Sequence, residues 1–69
     1  MKQLKICDFT EPELDVLRRL CNFSDIELQY FNLRARDKTL VEIALEMNIS
    51  QSTVSLIGKR VKNKIIRIL

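Results

Sequence analysis

The side chains best suited to chemistry form a short polar group followed by basic residues, near the C-terminal end of the chain. Hydroxyl and amide groups at the start of a helix can form hydrogen bonds with base edges in the major groove, and lysine can contact guanine. Serine and threonine side chains are also common on ordinary exposed surfaces. Leu56 could contact a thymine methyl group, contact a partner protein or pack on the second helix. The candidate base-contacting residues are Gln51, Ser52, Thr53, Ser55, Leu56 and Lys59.

The last third of the chain is basic and contains no acidic residue. Residues 47–69 carry five of the twelve basic side chains and none of the nine acidic ones, for a formal charge of +5, whereas residues 1–46 sum to −2. This uneven distribution favours a surface that binds a polyanion, although a helix whose charges serve only solubility gives the same count. The candidate phosphate-contacting residues are Thr39, Ser50, Arg60, Lys62, Lys64 and Arg67.

Residue types needed for catalysis or metal binding are scarce. The chain has no histidine, and Cys7 and Cys21 form no C-x-x-C pair, whereas a structural zinc site needs three or four such ligands. No glycine-rich phosphate loop and no nucleophile with a neighbouring base are present, and Glu42 is accounted for as a helix cap. We therefore expect no enzyme activity, metal, cofactor or small-molecule substrate.

The length of 69 residues allows one domain with a thin core. A content of 46% apolar and 30% charged residues is typical of a folded helical domain, and a single glycine and a single proline disfavour a β-rich fold. No apolar run approaches the roughly 18 residues of a membrane span, and no signal-peptide pattern begins the sequence. We therefore expect a cytoplasmic protein with no membrane partner.

Four helix-start signals position the candidate residues. A capping box places Ser or Thr before the helix and Glu three residues later, and each satisfies a backbone N–H of the other. The apolar residues that follow each start recur at helical spacing and predict helices over about 11–21, 25–35, 40–47 and 51–68. Core positions in this pattern include Leu20, Leu40 and Ile68. The capping boxes are Thr10/Glu13, Ser24/Glu27 and Thr39/Glu42, and Ser50 is a fourth cap without the glutamate.

The segment 39–60 predicts a helix-turn-helix inside an all-α bundle of three to four helices. Ala44 is the small residue needed where two steeply crossing helices approach, and Asn48 tolerates the left-handed backbone of the tight turn. We expect residues 1–8 to form an N-terminal arm or a short extra helix and residues 9–69 to form the domain, with a long C-terminal recognition helix. The positions that match the motif are Ala44, Asn48, Ile49, Val54 and Ile57.

From Phe23 to Leu69 the chain resembles region 4 of bacterial sigma factors and is similar to the DNA-binding domain of LuxR-type response regulators. The matching segments begin at Phe23 (FSDIEL), Asp37 (DKTLVEIA) and Ile49 (ISQSTV). The resemblance implies a tri- or tetrahelical domain with helix 51–68 in the major groove of double-stranded DNA. It also implies a sequence-specific transcriptional regulator. The small size of the chain suggests a bacterial or phage protein, located in the bacterial nucleoid or a phage-infected cell.

The chain departs from both families. No counterpart of the LuxR dimerisation helix follows Leu69, no other sigma regions are present, and Gln51 and Ser52 stand where sigma recognition helices usually carry more Arg and Glu. Sigma region 4 also contacts RNA polymerase, so the alternative is an interaction module that binds polymerase or another transcription factor. The terminal Ile/Leu cluster could equally form a homodimer. The predicted contact residues are Tyr30, Leu56, Ile65, Ile66, Ile68 and Leu69.

Overall fold

In the computed structural model, which describes residues 5–69, every regular element is helical. A short 3-10 helix (Ile6–Asp8) is followed by α1 (Glu11–Leu20), α2 (Asp25–Ala35), α3 (Leu40–Met47) and α4 (Gln51–Ile68). The all-α class and the four predicted helices are confirmed, with bounds that match to within one residue. The 18-residue helix α4 is about 27 Å long, close to the 29 Å longest dimension of the domain, and it contacts each of the other three α-helices.

The predicted helix caps all form. Thr10 donates its backbone N–H to Glu13 Oε1 at 2.8 Å and accepts the Glu13 backbone N–H on Oγ1 at 3.4 Å. The same reciprocal pair of hydrogen bonds starts α2 at Ser24 and α3 at Thr39. Ser50 accepts the backbone N–H of Thr53 at 3.2 Å. Local sequence signals therefore define where each helix of the bundle begins.

Each connection between the α-helices contains one non-glycine residue with a positive φ angle, at Asn22 (51°), Asp37 (61°) and Asn48 (56°). Asn and Asp adopt this left-handed conformation more readily than other side chains that carry a Cβ. After α3, the Ile49 N–H donates to the carbonyl of Ala44 at 3.0 Å, a bond that closes the end of the helix. The left-handed backbone predicted for Asn48 is confirmed.

The core lies between α2 and α4 and includes residues from every element. Ile6 is 2% exposed, so this part of the predicted N-terminal arm packs into the domain, while residues 1–4 of that arm lie outside the described residues. The most deeply buried side chains are Phe31, Ile43, Val54, Val61 and Ile65.

Several predicted burial assignments are wrong. Leu20, Leu40 and Ile68 were expected in the core but are 55%, 38% and 41% exposed. Tyr30 and Ile65, two of the contact residues considered for the alternative interaction module, are 3% and 0% exposed, so neither is available to a partner. Helical spacing identifies the correct face of each helix, but it does not show where the neighbouring helix ends and stops covering that face.

The only glycine of the sequence lies inside α4 and not in a turn. A Cβ atom on Gly58 would lie 2.7 Å from Oη and 3.1 Å from Cζ of Tyr30, which is itself buried in α2. Because the tyrosine ring is enclosed by the core, it has little room to move away. The missing side chain of Gly58 therefore allows the close approach of α4 to α2.

We expect Gly58→Ala to lower the free energy of unfolding by about 1 kcal/mol. Overpacking against Tyr30 costs about 1–3 kcal/mol, and the better helix propensity of alanine returns only about 1 kcal/mol. Urea denaturation would measure the change, with Asn63→Ala on the exposed side of α4 as the control. Adding Tyr30→Phe removes the Oη contact, so the double variant should recover part of the loss; a fully stable Gly58→Ala variant would contradict this account.

Candidate nucleic-acid interface

Helix α4 has one buried side and one exposed side. Its buried side is formed by Val54, Ile57, Gly58, Val61 and Ile65. At 100° per residue, the opposite side carries Ser52, Leu56, Lys59 and Asn63 in one stripe along the helix, and all four are exposed. The folded helix thus presents a continuous outward stripe.

The six predicted base-contacting residues are all exposed and lie within the first three turns of α4. Among them, Ser52, Leu56 and Lys59 lie near the middle of the outward stripe, while Ser55 lies at its edge. Asn63 lies one turn beyond Lys59 on the same stripe, and the sequence reasoning missed it. Asn63 follows Leu56 by seven residues, or two helical turns, and this spacing was visible in the sequence. The side-chain amide of an asparagine can form two hydrogen bonds with the edge of an adenine base.

The start of α4 differs electrostatically from the starts of the other helices. The first turns of α1, α2 and α3 each contain acidic residues, whereas the first turn of α4 contains none. The positive end of the α4 dipole is therefore not balanced by a nearby carboxylate. Thr53 is turned toward the cap, with its Oγ1 2.9 Å from Ser50 Oγ, so these two hydroxyl groups already bond to each other.

Thr39, a predicted phosphate-contacting residue, caps α3 and is exposed. Its hydroxyl accepts the Glu42 N–H at 3.2 Å, and the Glu42 carboxylate accepts the Thr39 N–H at 3.1 Å. Hydrogen bonds from the Thr39 backbone and side chain hold the pKa of Glu42 below its ordinary value. The Glu42 carboxylate stands beside Thr39 and is paired with Lys38 at 3.8 Å, so the start of α3, unlike that of α4, already has a carboxylate near its first N–H groups.

The basic residues of α4 fall into two groups. Lys59, Arg60, Lys62 and Arg67 are exposed, and among the described residues none of them has an acidic partner within 4 Å. Arg67 lies at the far end of the helix, roughly 24 Å from its first residue. These four ammonium and guanidinium groups are available to an anion in solution.

Lys64, which was also predicted to contact phosphate, lies on the inner side of α4. Its Nζ is 2.5 Å from Glu27 Oε1 and 3.5 Å from the Asn22 carbonyl. Glu27 is 6% exposed and also accepts the Ser24 N–H at 2.9 Å. The hydrogen bond from Lys64 and that from the Ser24 backbone hold the pKa of Glu27 below its ordinary value of 4.5. Lys64 therefore links α4 to the start of α2 and is already engaged.

Neither cysteine lies on α4, and desolvation together with a hydrogen bond to Asp37 raises the pKa of the half-buried Cys7 thiol. Cys21 is buried, and desolvation raises the pKa of its thiol, as expected for a small core residue. Among residues 5–69, no cluster of three or more acidic or cysteine side chains could hold a metal ion. Within the same range, no helix is long and apolar enough to cross a membrane.

Comparison of the chain with protein-family models, with curated proteins and with solved structures found no match. The similarity to sigma region 4 and to LuxR-type domains therefore remains a prediction from the segments at Phe23, Asp37 and Ile49. The surface of α4 is therefore the feature of the molecule from which a function can be inferred.

The ion pair between Glu27 and Lys64 makes the stability of the domain depend on pH. Because the pKa of Glu27 is lower in the folded chain than in the unfolded chain, its contribution is present above about pH 4.5 and is lost as the pH falls through the folded value. We expect Glu27→Gln to cost about 1–2 kcal/mol at pH 7 and much less at pH 3.

Urea denaturation of the wild type and of Glu27→Gln at both pH values measures this difference. Glutamine can still accept the Ser24 N–H, so the helix cap is retained. Glu46→Gln, at an exposed position without an ion pair among the described residues, serves as the control and should match the wild type at both pH values. If Glu27→Gln lowered the free energy of unfolding equally at pH 7 and pH 3, the stabilising role proposed for the ion pair would be wrong.

Proposed function

We propose that the protein is a sequence-specific regulator that binds duplex DNA through the exposed side of α4, with α3 and α4 forming a helix-turn-helix. One observation carries the proposal: the exposed side of α4 bears Lys59, Arg60, Lys62 and Arg67, with no acidic residue on the helix and no acidic partner among the described residues. A surface of this charge attracts a polyanion, and an α-helix fits the major groove.

The first three turns of α4 supply the groups for reading bases. In this arrangement Gln51, Ser52 and Ser55 form hydrogen bonds with base edges, and Lys59 contacts guanine. Leu56 is 58% exposed on the same stripe, where a thymine methyl group would cover it. Asn63 extends the stripe by one turn. Thr53 is better suited to holding the cap than to reading a base.

The basic residues on either side of the stripe supply the contacts to the DNA backbone. Arg60, Lys62 and Arg67 project from the exposed part of α4, whereas Lys64 is left out because it is bound to Glu27. Three such contacts predict a slope of about −3 for the logarithm of the association constant against the logarithm of the salt concentration. A regulator of this kind acts in the cytoplasm, in the bacterial nucleoid or in a phage-infected cell.

Fluorescence anisotropy with duplex DNA between low and physiological salt tests the proposal. We expect binding that weakens with salt, and we expect Arg60→Gln/Lys62→Gln to weaken it and to reduce the slope by about two. Arg19→Gln, which removes an 80% exposed arginine from α1, is the control and should change neither. No detectable binding at low salt, or equal effects of the α4 and α1 variants, would rule the proposal out.

A second candidate function is an interaction module for RNA polymerase or another transcription factor. The observation in its favour is an exposed apolar stripe on α3, where Val41 and Leu45, one turn apart, are 50% and 76% exposed. Glu42 and Glu46 border this stripe, so the partner surface would be apolar with a basic rim.

A pull-down with purified RNA polymerase distinguishes the two functions. If the chain is an interaction module, capture should be lost in Leu45→Glu and retained in Arg60→Gln/Lys62→Gln. In the DNA-binding assay, loss of binding in Arg60→Gln/Lys62→Gln and retained binding in Leu45→Glu would support the first function. Failure to capture polymerase with the wild-type chain counts against the polymerase as its partner.

A further inference from the structure

An apolar groove lies between α1 and the last turn of α4, at the opposite end of α4 from the candidate base-contacting residues. We call it the α1/α4 groove; its volume is about 330 Å³. Past Ile68 the surface continues to Leu20 and Arg67. The apolar residues lining the groove are Phe9, Pro12, Val16, Leu17, Ile68 and Leu69.

Several apolar side chains around this groove are exposed. Val16, Leu20, Ile68 and Leu69 are 49%, 55%, 41% and 74% exposed. Their combined exposed surface is about that of two fully exposed aliphatic residues, and removing this apolar surface from water would be favourable. Leu20 and Ile68 also have the helical spacing of core residues, yet no described part of the chain covers them. A contiguous apolar patch of this kind marks a site of association.

The charges at the groove are arranged to suit a second copy of the same chain. Glu13 lines one end of the α1/α4 groove, and Arg67 borders Leu20 and Ile68 at the other. In a two-fold symmetric contact, if residue i of one copy meets residue j of the other, then residue j of the first copy also meets residue i of the second. The carboxylate of Glu13 would then face Arg67 of the other copy, twice, across an apolar centre. The apolar lining and the carboxylate of Glu13 both disfavour nucleic acid as the occupant.

We propose that a second copy of this chain docks on the α1/α4 groove and forms a two-fold symmetric dimer. The exposed apolar area on each copy is well below the roughly 800 Å² per partner of a standard interface, so the free dimer is weak and depends on concentration. We expect a dissociation constant on the order of tens of micromolar. On DNA with two half-sites, simultaneous binding of both copies would strengthen the association without new contacts.

The dimer does not depend on the proposed DNA binding, because the candidate base-contacting residues and the α1/α4 groove lie at different ends of α4, and Arg67 is the one residue that both proposals use. Lys59 and Ile68 are nine residues apart, or roughly 14 Å along the helix. The dimer can therefore be measured without DNA, and its failure leaves binding by a monomer untouched.

Sedimentation equilibrium of the free protein from about 5 to 500 µM, a range that brackets the expected dissociation constant, tests the proposal. The chain offers pairs of variants that match in residue type and exposure. Leu69 is 74% exposed at the groove and Leu45 is 76% exposed on α3; Val16 is 49% exposed at the groove and Val41 is 50% exposed on α3. We expect Leu69→Glu and Val16→Glu to weaken dimerisation at least tenfold, and Leu45→Glu and Val41→Glu to leave it unchanged.

The charge contact has its own matched pair on α4. Arg67→Glu should weaken the dimer because it places two carboxylates together, whereas Arg60→Glu, away from the groove, should not. Circular dichroism of each variant confirms that it is folded at the temperature of the measurement. A wild-type chain that stays monomeric over the whole range, or a dimer lost equally in the α3 control variants, would overturn the proposal.

Discussion

The close contact between Gly58 of α4 and Tyr30 of α2 holds the longest helix in place, and the rest of the structure depends on it. The Cβ that glycine lacks would reach within 2.7 Å of the tyrosine oxygen, so no other residue allows the two helices to lie this close. Toward the C-terminal end, the ion pair of Lys64 with Glu27 joins the same two helices again. Together with the buried apolar side chains of α4, these two contacts set the position of the helix and its rotation about its own axis, and that rotation decides which side chains reach solvent.

The division of α4 into two sides follows from this placement. Five residues face the core, and the opposite side carries Leu56 together with hydroxyl, amide and basic groups, the basic ones without acidic partners among the described residues. Because Lys64 forms the ion pair with the buried carboxylate of Glu27, the basic residues on the exposed side of α4 are not needed to stabilise the domain. The surface charge and the fold are therefore physically separate properties of one helix.

Much of the fold could be predicted because its signals are local. A capping box such as Thr39 with Glu42 uses residues three positions apart, and the left-handed turn at Asn48 depends mainly on one side chain. The contacts of Gly58 and Lys64 could not be predicted, because each joins residues about thirty or more positions apart. For the same reason the sequence indicated which residues could contact phosphate, but it did not reveal that one of them is bound to a buried glutamate.

The length of α4 has a mechanical consequence. One uninterrupted helix runs from the polar stripe near Ser52 to the apolar groove at Ile68, with no loop between them to absorb a change in register. Inserting one residue in the middle of this helix would turn one end by about 100° relative to the other and move it by about 1.5 Å. The number of residues between the two surfaces therefore sets their relative orientation. Insertions or deletions inside α4 should be far less tolerated than substitutions on its exposed side.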